Sequence, residues 1–301
     1  MAEAILTIRN LEKRFGDKEV LRGLSLSIPK GSVFGFVGRN GAGKTTTMKA
    51  ILGLMKIDGG EILVDGERVV FGETATNRMI GYLPDVPEFY PFMTAREYLV
   101  LCGESLSMPK QEAYARADEL LSLVGLEGET HRIKGFSRGM KQRLGIAQAL
   151  FCRPKLLICD EPTSALDPIG RKEILDLLLS VKEETTVLFS THILSDVERI
   201  CTDIALLNNG TIAVQGTLDE LKKTRSFDAF SVECHDENAC ERLLSHFDNT
   251  RRGEENTVIF AGGDERIFAV METLLKEKIA IRRIEKLEPT VETMFMEVIG
   301  E

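Results

Sequence analysis

The amino-acid sequence predicts an α/β fold: a largely parallel sheet covered by helices, followed by a smaller α+β domain. Three observations point there. A nearly continuous apolar run, residues 33–37, leads directly into the glycine-rich stretch GRNGAGKTTTMKAILGL, the strand, loop and helix order that a phosphate-binding loop requires. Three further apolar runs, residues 156–159, 186–189 and 204–207, are separated by helical stretches such as residues 168–182, an alternation that builds parallel sheets. After about Thr224 the texture changes to short strand and helix patterns.

The elements follow in order. Residues 5–8 are strand-like, and Leu24, Leu26 and Ile28 alternate with Ser25 and Ser27, which suits a half-exposed sheet. The unbroken run at 33–37 suits a strand buried on both faces. Residues 61–70 form a hairpin around Asp65-Gly66, a dipeptide fitted to a tight turn. From about residue 91 to 150 the period becomes helical, with Tyr98, Leu101 and Cys102 in one segment and Ala117, Leu120, Leu121 and Val124 in the next. A helical insert therefore interrupts the sheet. In the tail, Phe230, Val232 and Cys234 alternate, Ala239, Leu243 and Phe247 recur at helical spacing, and Val258 and Phe260 alternate again. Ile267, Met271 and Leu274 fit a helix, Ile279 and Ile281 a strand, and Val291, Met294, Phe295 and Val298 a final helix. The domain division is 1–220 and 225–301.

At 301 residues the chain makes one large domain or two modest ones, with 43% hydrophobic residues to build cores. The 38 Lys and Arg against 47 Asp and Glu give a formal charge of −9, which argues against a broad nucleic-acid face. Seven of those nine negative charges fall in residues 225–301, a region that should shun anionic lipid as well. No apolar run approaches the ~18 to 20 residues of a membrane span, and Glu3 and Arg9 interrupt what a signal peptide would need. The expectation is a soluble, cytosolic protein with no direct membrane insertion. The six cysteines are scattered, several inside apolar runs, and read as reduced core thiols. Cys234, His235, Cys240 and His246 match no common zinc spacing.

Two segments carry chemistry. Gly38, Arg39, Asn40, Gly41, Ala42, Gly43, Lys44 and Thr45 fit G-x-x-x-x-G-K-[ST], in which backbone amides and a helix N-terminus converge on phosphate oxygens. Lys44 can then reach the β and γ phosphates, and Thr45 can ligate Mg²⁺. The second apolar strand ends in Asp160-Glu161, at the carboxyl end where open α/β sheets place their ligands. Asp160 would hold Mg²⁺ through water, and Glu161 would take a proton from an attacking water.

From here the sequence resembles the nucleotide-binding subunits of ATP-binding-cassette (ABC) transporters over about residues 3 to 220. Walker A is GRNGAGKT and Walker B is LLICDE; FSRGMKQR between them is similar to the family signature, usually LSGGQ. Ser164-Ala165-Leu166-Asp167 matches the D-loop, and His192 in STHIL stands at the switch histidine. The resemblance implies a P-loop NTPase core with an antiparallel β subdomain and a helical subdomain at about 91–150, plus the small C-terminal α+β domain. It implies ATP and Mg²⁺, and a head-to-tail homodimer in which the signature of one chain closes over ATP held by the other. Lys44, Glu161 and His192 would then carry the hydrolysis. Residues 38–45 and Thr46 would hold the phosphates, Ser137 and Gly139 would contact the γ-phosphate in trans, and Asp167 would link the two sites. Phe15, in KRFGD, matches the aromatic that stacks on adenine; the competing reading is a core phenylalanine. Such stacking tolerates either purine.

Two segments depart from the family pattern. Asp85 follows IGYLP where the family usually has Gln; an acid can ligate Mg²⁺ but repels the γ-phosphate. The loop 85–92 is therefore expected to serve chiefly as contact to a membrane partner. In the signature, Phe136, Arg138 and Met140 replace Leu, Gly and Gln; Arg138 either adds a cation near the nucleotide or, as charged side chains usually do, points to solvent. With the ending VETMFMEVIG, these features resemble the ATPase subunits of two-component bacterial exporters of the drug-resistance and antibiotic-export group. Such a subunit sits at the inner face of the cell membrane through a separate polytopic permease, which selects the cargo. The alternatives are a non-transport ABC ATPase acting on ribosome or DNA, and a regulatory module that holds ATP without turnover. The acidic charge and the 93 globular-looking positions from Lys44 to Ser137 weigh against the first, and Glu161 with His192 against the second. The tail either extends the dimer or caps an edge, or it regulates.

Overall fold

The computed structural model describes residues 3–72, 75–224, 229–248, 250–253, 255–287 and 291–292. β1 (Ala4–Phe15) and β2 (Lys18–Pro29) pair antiparallel, with Leu24, Leu26 and Ile28 buried and Ser25 and Ser27 facing out, as their alternation predicts. β3 (Val33–Gly38) is buried along its whole length and runs into the glycine loop that opens α1 (Lys44–Ile51). β4 (Gly59–Val64) and β5 (Glu67–Arg68) make the expected hairpin, and β4 returns to β1, giving a first sheet of order β2-β1-β4-β5.

β6 (Ile80–Leu83) enters a second sheet, from which the chain departs into α2 (Ala95–Ser105), α3 (Lys110–Leu123) and α4 (Arg138–Leu150). This is the helical insert. α2 starts at a reciprocal cap: Glu97 N–H donates to the Thr94 hydroxyl, and Thr94 N–H donates to the Glu97 carboxylate. The chain returns through β7 (Leu156–Asp160), α5 (Pro168–Ser180), β8 (Thr186–Thr191), α6 (Leu194–Ile200), β9 (Asp203–Asn208) and β10 (Thr211–Thr217). The second sheet has the order β10-β9-β3-β8-β7-β6, parallel throughout except for β10. Only β8 separates β3 from β7, so the ends of the strands that carry the glycine loop and the acid pair emerge at the same sheet edge. One apolar cluster joins both sheets to α1: Phe34, Phe36, Ile158 and Leu188 pack with Met48 and Ile51 and with Leu6, Leu24 and Ile62. Burying each such side chain contributes roughly 1.5–3 kcal/mol.

α7 (Leu218–Thr224) leads out of this first compact unit, whose described residues end at Leu218. The second unit begins at Asp219 and holds β11 (Ala229–Cys234), α8 (Glu237–Leu244), β12 (Thr250–Arg252), β13 (Thr257–Ala261), α9 (Asp264–Lys276) and β14 (Ile281–Leu287). Its antiparallel sheet has the order β12-β13-β11-β14. Phe230 stacks on Phe260 at 5.0 Å between ring centroids, in a core with Val232, Val258, Leu243 and Val270. Cys234 and Cys240 point into that core, whereas His235 is exposed.

Two expectations are modified. Ile267, Val270 and Leu274 form the inward stripe of α9, which leaves Met271 a step further round the helix and exposed. Cys152 lies just past the end of α4 and is exposed rather than in the core, and Cys102 is half-buried; burial pushes the Cys102 thiol up to about 11. Beyond residue 292, the final helix expected from Val291, Met294, Phe295 and Val298 lies outside the described residues.

Candidate functional site

The glycine loop turns the chain from β3 into α1 with Gly43 at φ 114°, where a Cβ would stand 2.8 Å from Leu21 Cδ2. Only glycine fits both the backbone angle and the space. Ala42 N–H closes the turn on the Arg39 carbonyl at 3.1 Å. Asn40, Gly41, Gly43, Lys44, Thr45 and Thr46 line one side of a cavity of about 370 Å³; Asp85, Asp160 and Glu161 line the other.

Lys44 is only 6% exposed, and its ammonium is engaged by protein groups within the site. It donates to the Gly38 carbonyl at 2.7 Å and pairs with Glu161 Oε1 at 3.1 Å. The Thr45 hydroxyl donates to Asp160 Oδ2 at 2.8 Å, and Ser190 Oγ, from β8, donates to Asp160 Oδ1 at 2.6 Å. Ser190 holds Glu161 too, because Glu161 N–H donates to both Ser190 Oγ and the Ser190 carbonyl at 3.1 Å. Glu161 itself has φ 49°, a strained angle for a side-chain-bearing residue that is maintained by these bonds. Its Oε2 shares a hydrogen bond of 2.8 Å with His192 Nδ1. The parallel order β3-β8-β7 thus gathers Lys44, Thr45, Asp160, Glu161 and His192.

The remaining residues singled out by the sequence lie outside this cluster. Phe15, at the end of β1, is 50% exposed with Lys13 Nζ 5.2 Å from its ring centroid, which removes the competing reading as a core residue. Ser137 caps α4 by accepting from Met140 N–H at 3.2 Å, and Asp167 caps α5 by accepting from Gly170 N–H at 2.9 Å. Nothing crowds Gly139. Arg138 does not simply point to solvent: its Nη2 stands 3.3 Å from Asp85 Oδ1. Asp85 is therefore directed at Arg138 rather than at the Thr45–Asp160 pair. Sequence reasoning missed Ser190, and it missed Gln142, whose Nε2 donates to the Asp85 carbonyl at 2.9 Å.

The oxygen pair of Thr45 and Asp160 offers the hard donors that Mg²⁺ prefers, and the glycine loop supplies an opening bounded by backbone amides and a buried lysine. The fold and this arrangement define a nucleotide hydrolase of the phosphate-loop class. Residues 21–164 match the family described as ABC transporter. The chain is 33% identical to an uncharacterized ABC transporter ATP-binding protein of Bacillus subtilis, over 98% of this chain and 99% of that protein. It is 35% identical to the bacitracin transport ATP-binding protein of Bacillus licheniformis, over 98% and 97% of the two chains. A solved structure of an ATP-binding subunit of an ABC transporter superposes with a TM-score of 0.65 at 33% identity, over 73% of this chain and 92% of that one. The chain belongs to the ATP-binding proteins of ABC transporters and is an ATP hydrolase. Among the described residues, no helix is long and apolar enough to cross a membrane.

Proposed function

We propose that this chain powers a separate polytopic permease in a bacterial exporter, and that two copies close head to tail on ATP and reopen after hydrolysis. Residues 1–220 form the ATP-binding domain, and residues 225–301 an accessory domain. The observation that carries this reading is the convergence of Lys44, Asp160, Glu161 and His192 on the glycine loop. Likeness to a bacitracin transport protein over nearly the whole chain supports the transport role. The exposed Val86, Tyr90 and Phe92 suit the loop 85–92 to a protein partner. Through the permease the subunit sits at the inner face of the membrane, with no insertion of its own and no nucleic-acid partner.

Phosphoryl transfer to water depends on positioning and charge neutralisation. Residues 38–46 cradle the phosphates, and Phe15 stacks on the base. Thr45 and Asp160 are the residues that would hold Mg²⁺, which would supply charge neutralisation at the phosphates; Asp85 stays outside that pair. Lys44 exchanges its contacts with Gly38 and Glu161 for phosphate, which frees Glu161 to accept the proton of the attacking water. His192 steadies charge on the γ-phosphate, as do Ser137 and Gly139 of the second copy, and Asp167 connects the two sites.

Glu161→Gln tests the assignment. The variant should lose turnover by at least about a hundredfold while binding Mg-ATP and staying dimeric in it. Captured with Mg-ATP from gently solubilised native membranes, it should bring a polytopic protein with it. Unchanged turnover would remove Glu161 as the base, and capture of ribosomal or DNA-associated proteins alone would favour the non-transport reading.

A further inference from the structure

Two of the departures from the usual family sequence meet in this fold. Asp85 follows β6 and Arg138 begins α4, 53 residues apart, yet their side chains form an ion pair at 3.3 Å. The contact is built in from below. α4 packs directly on the segment around Asp85, and a Cβ at Gly145 would come within 2.5 Å of Leu83 Cδ1 and 3.3 Å of Pro87 Cβ. Fully buried Gln142, one turn beyond Arg138 on the same face of the helix, donates to the Asp85 carbonyl at 2.9 Å. Asp85 is thus gripped twice, by Gln142 at its backbone and by Arg138 at its carboxylate.

Asp85 also lines the phosphate-loop cavity, beside Asp160 and Glu161. A third uncompensated acid there would repel a polyphosphate. Ion pairs between groups this exposed, 48% and 42% for the two side chains, add little to folding stability. Their electrostatic effect on the cavity is another matter, because Asp85 is one of the residues that line it. We propose that Arg138 is a positioning residue that compensates the charge of Asp85 in cis, so that this chain carries an acid at the rim of its nucleotide cavity without losing affinity for ATP. Asp85 and Arg138 act as one unit in place of the neutral Gln and Gly of the usual pattern. The inference rests on the ATP-site reading given above.

The test is Mg-ATP binding to the nucleotide-free full-length chain by calorimetry, in the wild type, Arg138→Gln, Asp85→Asn, the double variant and Arg138→Lys. Arg138→Gln should weaken binding about three- to tenfold at low salt, since it leaves a bare carboxylate near the phosphates. The loss should shrink at about 0.5 M salt. In the Asp85→Asn background the same substitution should have no effect, and Arg138→Lys should keep most of the affinity. An equal loss with and without the Asp85 carboxylate, or one indifferent to salt, overturns the proposal. No binding by the wild type would overturn the nucleotide-site reading instead.

Discussion

Ser190 organises both acids of the site from the middle strand of three. Its hydroxyl is fully buried, donates to Asp160 and accepts from the Glu161 amide. Ser190→Ala should leave these groups short of a partner and cost about 1–3 kcal/mol of stability. Because the hydroxyl orients the proposed metal-binding carboxylate and the proposed base, kcat should fall about 10- to 100-fold, with a smaller change in KM. Steady-state ATPase assays beside thermal unfolding check this; a stability loss with unchanged kcat would reduce the hydroxyl to a structural bond. The sequence does not announce Ser190, which reads as an ordinary strand-end serine. Lys44, Asp160 and Glu161 are legible because their chemistry is written in local spacing. The grip of Ser190 on Asp160, and of Arg138 on Asp85, spans 30 and 53 residues and exists only once strand order and helix packing are known.

Among the elements, the β4–β5 hairpin carries a charge network at its turn. Asp65 accepts from Lys155, just before β7, and pairs with Lys30 at 2.7 Å, between β2 and β3. These lysines, Lys155 foremost, hold the Asp65 carboxyl down at about 2. Its pKa is lower folded than unfolded, where a carboxyl of this kind titrates near about 3.9. The contribution to stability is therefore complete above that value and disappears as pH falls toward 2. The wild type should be more stable than Asp65→Asn at pH 5 to 7, and the gap should close by about pH 2; urea unfolding across that range measures it, and a gap independent of pH would show that the network is not electrostatic. Lys30 and Lys155 lie far from Asp65 in sequence, so the pattern predicts the hairpin but not what it ties together. The same division holds for other elements. Fully buried β3, β7 and β8 stand out as apolar runs. β10 contains no fully buried residue and offers only the short alternation of half-buried Ile212 and Val214, and β12 is only Thr250–Arg252; both are made by backbone pairing with a neighbour and leave little hydrophobic signal. β1 likewise continues past its apolar start through Arg9, Lys13 and Arg14 because β2 pairs along most of its length.

At the scale of the molecule, the residues of the proposed chemistry and those of the second core are separate. The cluster that unites α1 with the two sheets takes its residues from Ile5 to Ile212, whereas the C-terminal core runs from Phe230 to Ile284. Lys44, Asp160, Glu161, His192 and the signature segment all precede Leu218, the last described residue of the first unit. Deleting residues 225–301 should therefore leave a chain that folds cooperatively and binds Mg-ATP. The deletion removes seven of the nine net negative charges, so the shortened chain should be less soluble near neutral pH. Calorimetry of the full chain and of residues 1–224, with ATP turnover by each, separates the possible roles of the tail. Basal turnover within about twofold and an intact dimer in ATP, combined with lost stimulation by the permease, identify it as a regulator; failure to dimerise makes it part of the assembly. Loss of folding would mean that the two cores, although they share no residue, stabilise one another, since separate cores unfold independently only where little energy couples them.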